Sequence, residues 1–267
     1  MKLEKQGPGG KELSLLYDKL GLMPDQKIVA MWGYPDPEVL AAVRAQYPSC
    51  NVVDIDIDYC APESKILPDN YCQIITNIID NAVFLKDKIE VIVASTGEEK
   101  CDQGRFAAYV LEKLGFNLVK TRYTEYKNLP QEPLISVSSL PLKKKFLLIM
   151  DSLLQPELIK EYKIEKVIPT HGFWGVPPND LSILELFPDT THVFGWTRAV
   201  EMKRPADLDI EMYVEDGLPT VFFAQTFCAK MQLAKFLAKK YDGLYVDVDD
   251  FMSVSVRAKI EAFLRFS

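Results

Sequence analysis

From Lys27 onward, short apolar runs alternate with longer stretches whose apolar residues recur at helical spacing, and few folds accommodate that rhythm. The run "KIVAMWG" precedes "PDPEVLAAVRAQYP", which places Pro37 and Glu38 in the first turn of an expected helix. "NVVDIDID" reads as a second strand. Residues 67–85 then carry apolar side chains at 71, 74, 75, 78, 79 and 82, the stripe of an amphipathic helix. "IEVIVAS", "CDQGRFAAYVLEKLG" and "FNLVKTRYT" continue as strand, helix and strand. Alternation at these lengths implies parallel pairing in an α/β fold.

Three prolines in residues 127–145 break the rhythm, and this stretch is expected to connect two halves. The expected organisation is a Rossmann-like lobe over residues 1–126, with 1–10 flexible, and a second such lobe over 146–267, both with mainly parallel sheets. An early helix, "KELSLLYDKLG", stops at Gly21. The second lobe is expected to run as strand "FLLIMDS", helix "QPELIKEYKI", strand "KVIPT", loop "HGFWGVPPND" and short helix "LSILELF". It continues with strands "HVFGWT" and "TVFFAQT", helix "AKMQLAKFLAKKYDG", strand "LYVDVDD" and a final helix, "SVRAKIEAFLRF".

The halves also share wording. Residues 28–31 followed by Pro37-Glu38 align with 147–150 followed by Pro156-Glu157 at one constant offset. Ala94-Ser95-Thr96 with Cys101 aligns with Ala224-Gln225-Thr226 and Cys228. In each case Ala (107, 234) stands six after the cysteine, Lys (113, 240) twelve after, and Gly (115, 243) ends the helix. An internal duplication explains this. So does the common need of βαβ units for an apolar strand, an amphipathic helix and a terminating glycine.

Hydrophobic residues make up 48% of the 267 and charged residues 26%, which suits a globular chain with a sizeable core. Asp plus Glu number 38 against 31 Lys plus Arg, a net charge of −7. Such a surface repels phosphate backbones and anionic lipid, so neither nucleic acid nor membrane is the expected partner. "MKLEKQGPGG" has no apolar signal core, and the five cysteines form no dense framework. A reducing, cytoplasmic setting is the expectation, with a homo-oligomer left open.

Ligands of open parallel sheets bind beyond the carboxyl ends of the strands. Cys60, Cys101, His171, Arg198 and Cys228 each follow an expected strand, and Cys101 and Cys228 open expected helices, where the dipole favours thiolate. The cysteines read in three ways: as small buried apolar residues, as catalytic thiols with His171 as base, or as ligands in a site of Cys60, Cys101, His171 and Cys228. Thiolate ligands would suit a zinc ion or an iron–sulfur cluster. Cys50 and Cys72 read as structural.

Trp174 in "HGFWGVPPND" and Trp196 beside Arg198 are candidate substrate walls, with Arg198 as a fork for a carboxylate or phosphate. A salt bridge from Arg198 to Glu201 is the competing reading. His192 is expected to face solvent.

In "VAMWGYPDPEVLAAVRAQYPSCNVVDIDID", Gly33 stands at a strand-to-helix turn, and Asp54 and Asp56 end the next strand. Tyr34-Pro35-Asp36-Pro37 stands where a dinucleotide fingerprint needs further glycines, and proline has no N–H for a pyrophosphate. Over these thirty residues the chain resembles class I methyltransferases. The resemblance implies S-adenosylmethionine as cofactor at Gly33, Asp54 and Asp56.

Three functions follow as expectations. One is an enzyme acting on a small anionic molecule in a cleft between the lobes, using thiolates as nucleophiles or as metal or cluster ligands. The others are an S-adenosylmethionine-dependent methyltransferase and a non-catalytic protein binding a small molecule or metallocentre.

Overall fold

The computed structural model of the chain describes residues 17, 20–23, 25–59, 61–69, 71–97, 100–122, 132–152, 155–204, 208–248 and 251–267. The chain divides into two compact units, Met1–Tyr123 and Thr124–Ser267.

The first unit runs β1 (Ile28–Trp32), α1 (Pro37–Gln46), β2 (Asn51–Asp54), α2 (Gln73–Phe84), β3 (Ile89–Ser95), α3 (Asp102–Lys113) and β4 (Leu118–Thr121). Its strands pair in parallel in the order β2-β1-β3-β4. All five residues of β1 are buried, which is why a central parallel strand reads as an unbroken apolar run. Ile28, Ala30 and Trp32 share a core with Ile92 and Ala94 of β3, Ile75, Ile78, Ile79 and Ala82 of α2, and Ala107, Ala108 and Leu111 of α3. Asp36 caps α1, accepting from the amides of Glu38 at 2.9 Å and Val39 at 3.2 Å. The chain leaves β1 towards β2 on one side and reaches β3 on the other. The switch point therefore lies between β1 and β3.

The second unit opens on α4 (Leu142–Asp151) and a 3₁₀ turn, Pro156–Glu161. Next come β5 (His171–Trp174), a second 3₁₀ turn, Leu181–Leu186, and β6 (Thr191–Phe194). It closes with α5 (Trp196–Glu201), α6 (Leu208–Met212), β7 (Thr220–Gln225), α7 (Met231–Lys240), β8 (Leu244–Val248) and α8 (Val254–Phe266). The order β6-β5-β7-β8, again all parallel, repeats that of the first unit. The protein is thus an α/β chain of two Rossmann-like lobes. Among the described residues, no helix is long and apolar enough to cross a membrane.

Three expectations for the second unit give way. "FLLIM" lies in helix α4, not a strand, because Leu142, Lys145, Phe146 and Ile149 form its buried stripe and the apolar run is ambiguous by itself. The pairing of residues 28–31 with 147–150 falls with it. "KVIPT" is no strand: Ser138 and Lys166 form one isolated bridge, and Ile168 is exposed. The first strand of the unit is instead "HGFW", inside the expected loop. A Cβ on Gly172 would stand 2.3 Å from Thr220 Oγ1, so close strand packing chose glycine over a strand-like residue.

That shift exposes a different shared phrase. Trp32-Gly33-Tyr34-Pro35 leaves β1 as Trp174-Gly175-Val176-Pro177 leaves β5. Gly175 has φ +154°, and a Cβ there would lie 2.5 Å from the backbone oxygen of Phe223. Gly175→Ala should cost about 2 kcal/mol in urea unfolding, combining backbone strain with an immovable contact. Gly217→Ala, at φ +76° in open space, is the control for strain alone. Equal losses in the two variants would remove the close-approach argument.

Candidate functional site

The first unit gathers its charged side chains at the switch point. Beyond β2, Asp56 turns back towards β1, where Gly33 N–H donates to its Oδ2 at 2.9 Å. Lys100 Nζ, from the segment between β3 and α3, lies 3.1 Å from the same oxygen. The Asp56 amide donates to Asp54 Oδ1 at 3.1 Å. Only 6% of the Lys100 side chain and 10% of the Asp56 side chain are exposed.

Neighbouring elements hold this geometry. From α2, Asn81 Nδ2 donates to the carbonyls of Ile55 at 3.0 Å and Ile57 at 2.8 Å, and Asn77 Nδ2 donates to that of Asp56 at 3.3 Å. Gly104 makes room for the lysine, since a Cβ there would stand 2.6 Å from Lys100 Cγ. A Cβ on Gly33 would meet both Lys100 Cδ and Ser95 Cβ at 3.2 Å, so the lysine stem crosses the corner between β1 and β3. The Ser95 hydroxyl, fully buried at the end of β3, has no hydrogen-bond partner among the described residues.

Burial, and then the charge of Asp56, holds the Asp54 carboxyl well above the ordinary carboxylate range, and a hydrogen bond between the two side chains acts the same way. Burial pulls the Lys100 ammonium down, but Asp56, with Cys101 and Asp54, more than offsets this and the net shift is upward. The Tyr59 phenol is pushed up by burial and by both aspartates. The corner therefore holds an ion pair, a carboxyl that keeps its proton above the ordinary carboxylate range, and a phenol held towards its neutral form. Such a set can deliver and recover a proton.

Of the expected cofactor residues, Gly33, Asp54 and Asp56 do come together. Lys100 and Ser95 complete the corner and were missed. Lys100 follows "TGEE" and reads as a solvated charge. The available signal was the asparagine pair, 77 and 81, inside an apolar helical stripe, because buried amides need buried partners.

The cysteine expectations fare differently. Cys101 is the N-cap residue of α3, next to Lys100, with no side-chain capping bond. Cys228 does not open a helix: its amide bonds the Gln225 carbonyl in a turn, and α7 begins at Met231. Cys72 is the N-cap residue of α2. His171 opens β5 instead of following a strand, and its Nε2 lies 3.1 Å from the Leu264 carbonyl of α8. In a parallel sheet that is the edge opposite Cys228, so His171 is not placed as its base. Among the described residues, no three His, Cys, Asp or Glu side chains are grouped to hold a metal ion, and Cys60 lies outside those residues.

Trp174 is a core residue. It is 1% exposed, packs with Phe194 and Phe222, and donates from Nε1 to the Glu211 carbonyl at 2.7 Å. Trp196 and Arg198 are both buried in α5. His192 is buried, not solvent-facing, because β6 is buried along its whole length. At the second unit's corner, Gln225 Nε2 donates to the Pro177 carbonyl at 3.3 Å and Asn179 Oδ1 at 3.1 Å. This corner has amides where the first has its acids and lysine.

No family model matches the chain, and no curated protein is significantly similar to it. What the fold and site define is a class: a two-unit parallel α/β protein with a buried carboxyl–lysine cluster at the switch point of its first sheet.

Proposed function

We propose that the protein is an enzyme acting on a small molecule bound at the carboxyl edge of the first unit's sheet, with Asp54 donating and recovering a proton. The observation that carries this reading is the contact of Asp54 with the buried Asp56–Lys100 pair at the switch point, which holds the Asp54 carboxyl above the ordinary carboxylate range. A scaffold gains little from such a cluster, since well-packed apolar residues usually stabilise as much or more. The unpartnered Ser95 hydroxyl supports the same reading, because a bound ligand would complete it. Cys101, adjoining Lys100, is the thiol best placed to assist.

Asp54→Asn tests it. The folded pKa of Asp54 lies above its unfolded value, so its contribution is full at low pH and is lost as pH rises through the folded value. The neutral amide removes that loss. Asp54→Asn should therefore melt higher than the wild type, with the gap growing as pH rises above the ordinary carboxylate range, while ligand-dependent turnover disappears. A gap that does not change with pH would remove the protonated acid from the scheme. The methyl-transfer reading uses the same corner, but Asp56 would have to exchange Gly33 and Lys100 for ribose hydroxyls. Heat on titrating S-adenosylmethionine, abolished by Asp56→Asn, would put that reading in place of acid–base catalysis.

A further inference from the structure

Arg198 belongs to the second unit. It is 7% exposed, and its Cζ lies 4.1 Å from the Phe194 ring centroid and 5.9 Å from that of Tyr213. Its Nε and Nη2 atoms are buried and have no hydrogen-bond partner among the described residues. These two N–H groups lie along one edge of the guanidinium, the edge that forms parallel bonds to two oxygens of one oxyanion.

Glu201, in the same helix, does not fill that edge. Its Oε1 accepts from the amides of Leu134, at 2.7 Å, and Ile135, and its Oε2 accepts from the Ser136 amide, at 3.0 Å, and the Ser136 hydroxyl. The carboxylate is consumed in holding residues 134–136 against α5, and among the described residues the guanidinium has ring faces in place of an ion pair. Stacking on an aromatic ring compensates a buried cation only in part and leaves the in-plane N–H groups unsatisfied. Buried donors in folded proteins nearly always have partners, so two unpaired donors on one edge point to a missing acceptor pair. Tyr213, 54% exposed, borders the guanidinium and marks the side nearest solvent.

We propose that Arg198 anchors an oxyanion site in the second unit, taking the carboxylate or phosphate group of a small molecule on Nε–H and Nη2–H beside Tyr213. Burial lowers its pKa to about 10, against the opposing pull of Glu201, Tyr213 and Glu215, so the group stays cationic at neutral pH. The proposal uses none of the acid–base corner's residues.

Calorimetric titration of the full chain at low salt, with inorganic phosphate and separately with malonate, tests the site. At least one should bind at millimolar concentration or tighter, and which one does tells a phosphate ligand from a carboxylate. Arg198→Lys keeps the charge and loses the paired edge, so it should bind roughly tenfold more weakly or worse. Asp54→Asn should bind as the wild type does, which separates this site's failure from failure of the catalytic reading. A check without a variant is the Arg198 Nε–H resonance, shifted upfield by the Phe194 ring, which should move on adding the bound anion. Absence of binding by both anions, an unmoved resonance, or Arg198→Lys binding as tightly as the wild type would each overturn the proposal.

Discussion

Lys100→Met is expected to destabilise the first unit by about 3–5 kcal/mol, the usual loss when one partner of a buried ion pair is removed. Asp56 would keep only the Gly33 amide on Oδ2, with the Asp54 carboxyl as its neighbour. Methionine fills much of the space over Gly33 and Gly104, so the loss reports charge more than cavity. The double variant Lys100→Met/Asp56→Asn should regain most of it, because Asp56 is then no longer a buried charge without its lysine. Urea unfolding of the three proteins at neutral pH measures both numbers. A single-variant loss below about 1 kcal/mol would be the size of an exposed pair and would mean that the corner is open to water.

Acid should weaken the second unit through His192. The imidazole is 8% exposed, and its Nε2 lies 3.0 Å from the Val167 carbonyl, to which the neutral ring donates. Burial, aided by the positive charges of Arg198 and Lys145, lowers its pKa from 6.5 to about 4 against the pull of that hydrogen bond. The unfolded chain therefore takes up a proton near pH 6.5 and the folded chain only near pH 4. The contribution is complete above 6.5 and is lost as pH falls through that window, by about 3 kcal/mol in all. His192→Gln keeps a neutral donor and should flatten the stability profile between pH 6.5 and 4 relative to the wild type. Parallel profiles for the two proteins would place the acid sensitivity elsewhere.

Legibility in the sequence followed locality. In the first unit, β1, α1, β3, α3 and β4 were readable because buried parallel strands are continuous apolar runs and amphipathic helices repeat every three to four residues. In the second unit the same rules misled twice. "FLLIM" satisfies both a strand and a helix, and β5 hides behind Gly172, whose identity answers to Thr220 and Phe194 across the sheet. The repeated cysteine phrase marked two real strand ends, β3 and β7. Of its two cysteines only Cys101 proved to stand at a helix start, since Ala229 and Lys230 separate Cys228 from α7.

The site divides along the same line. Gly33, Asp54 and Asp56 were visible as a turn and a strand end, features that neighbours in the chain specify. Lys100 was not, because its partner lies 44 residues away and a lysine's own sequence surroundings do not say whether it is buried. The alternation of apolar runs and helical stripes was enough by itself to require layered parallel sheets, since that periodicity belongs to each segment alone. Which charges meet at the first corner, and why Arg198 packs on aromatic rings, was decided only in three dimensions. Desolvation and ion pairing depend on everything packed around a group, and no local stretch of sequence carries that information.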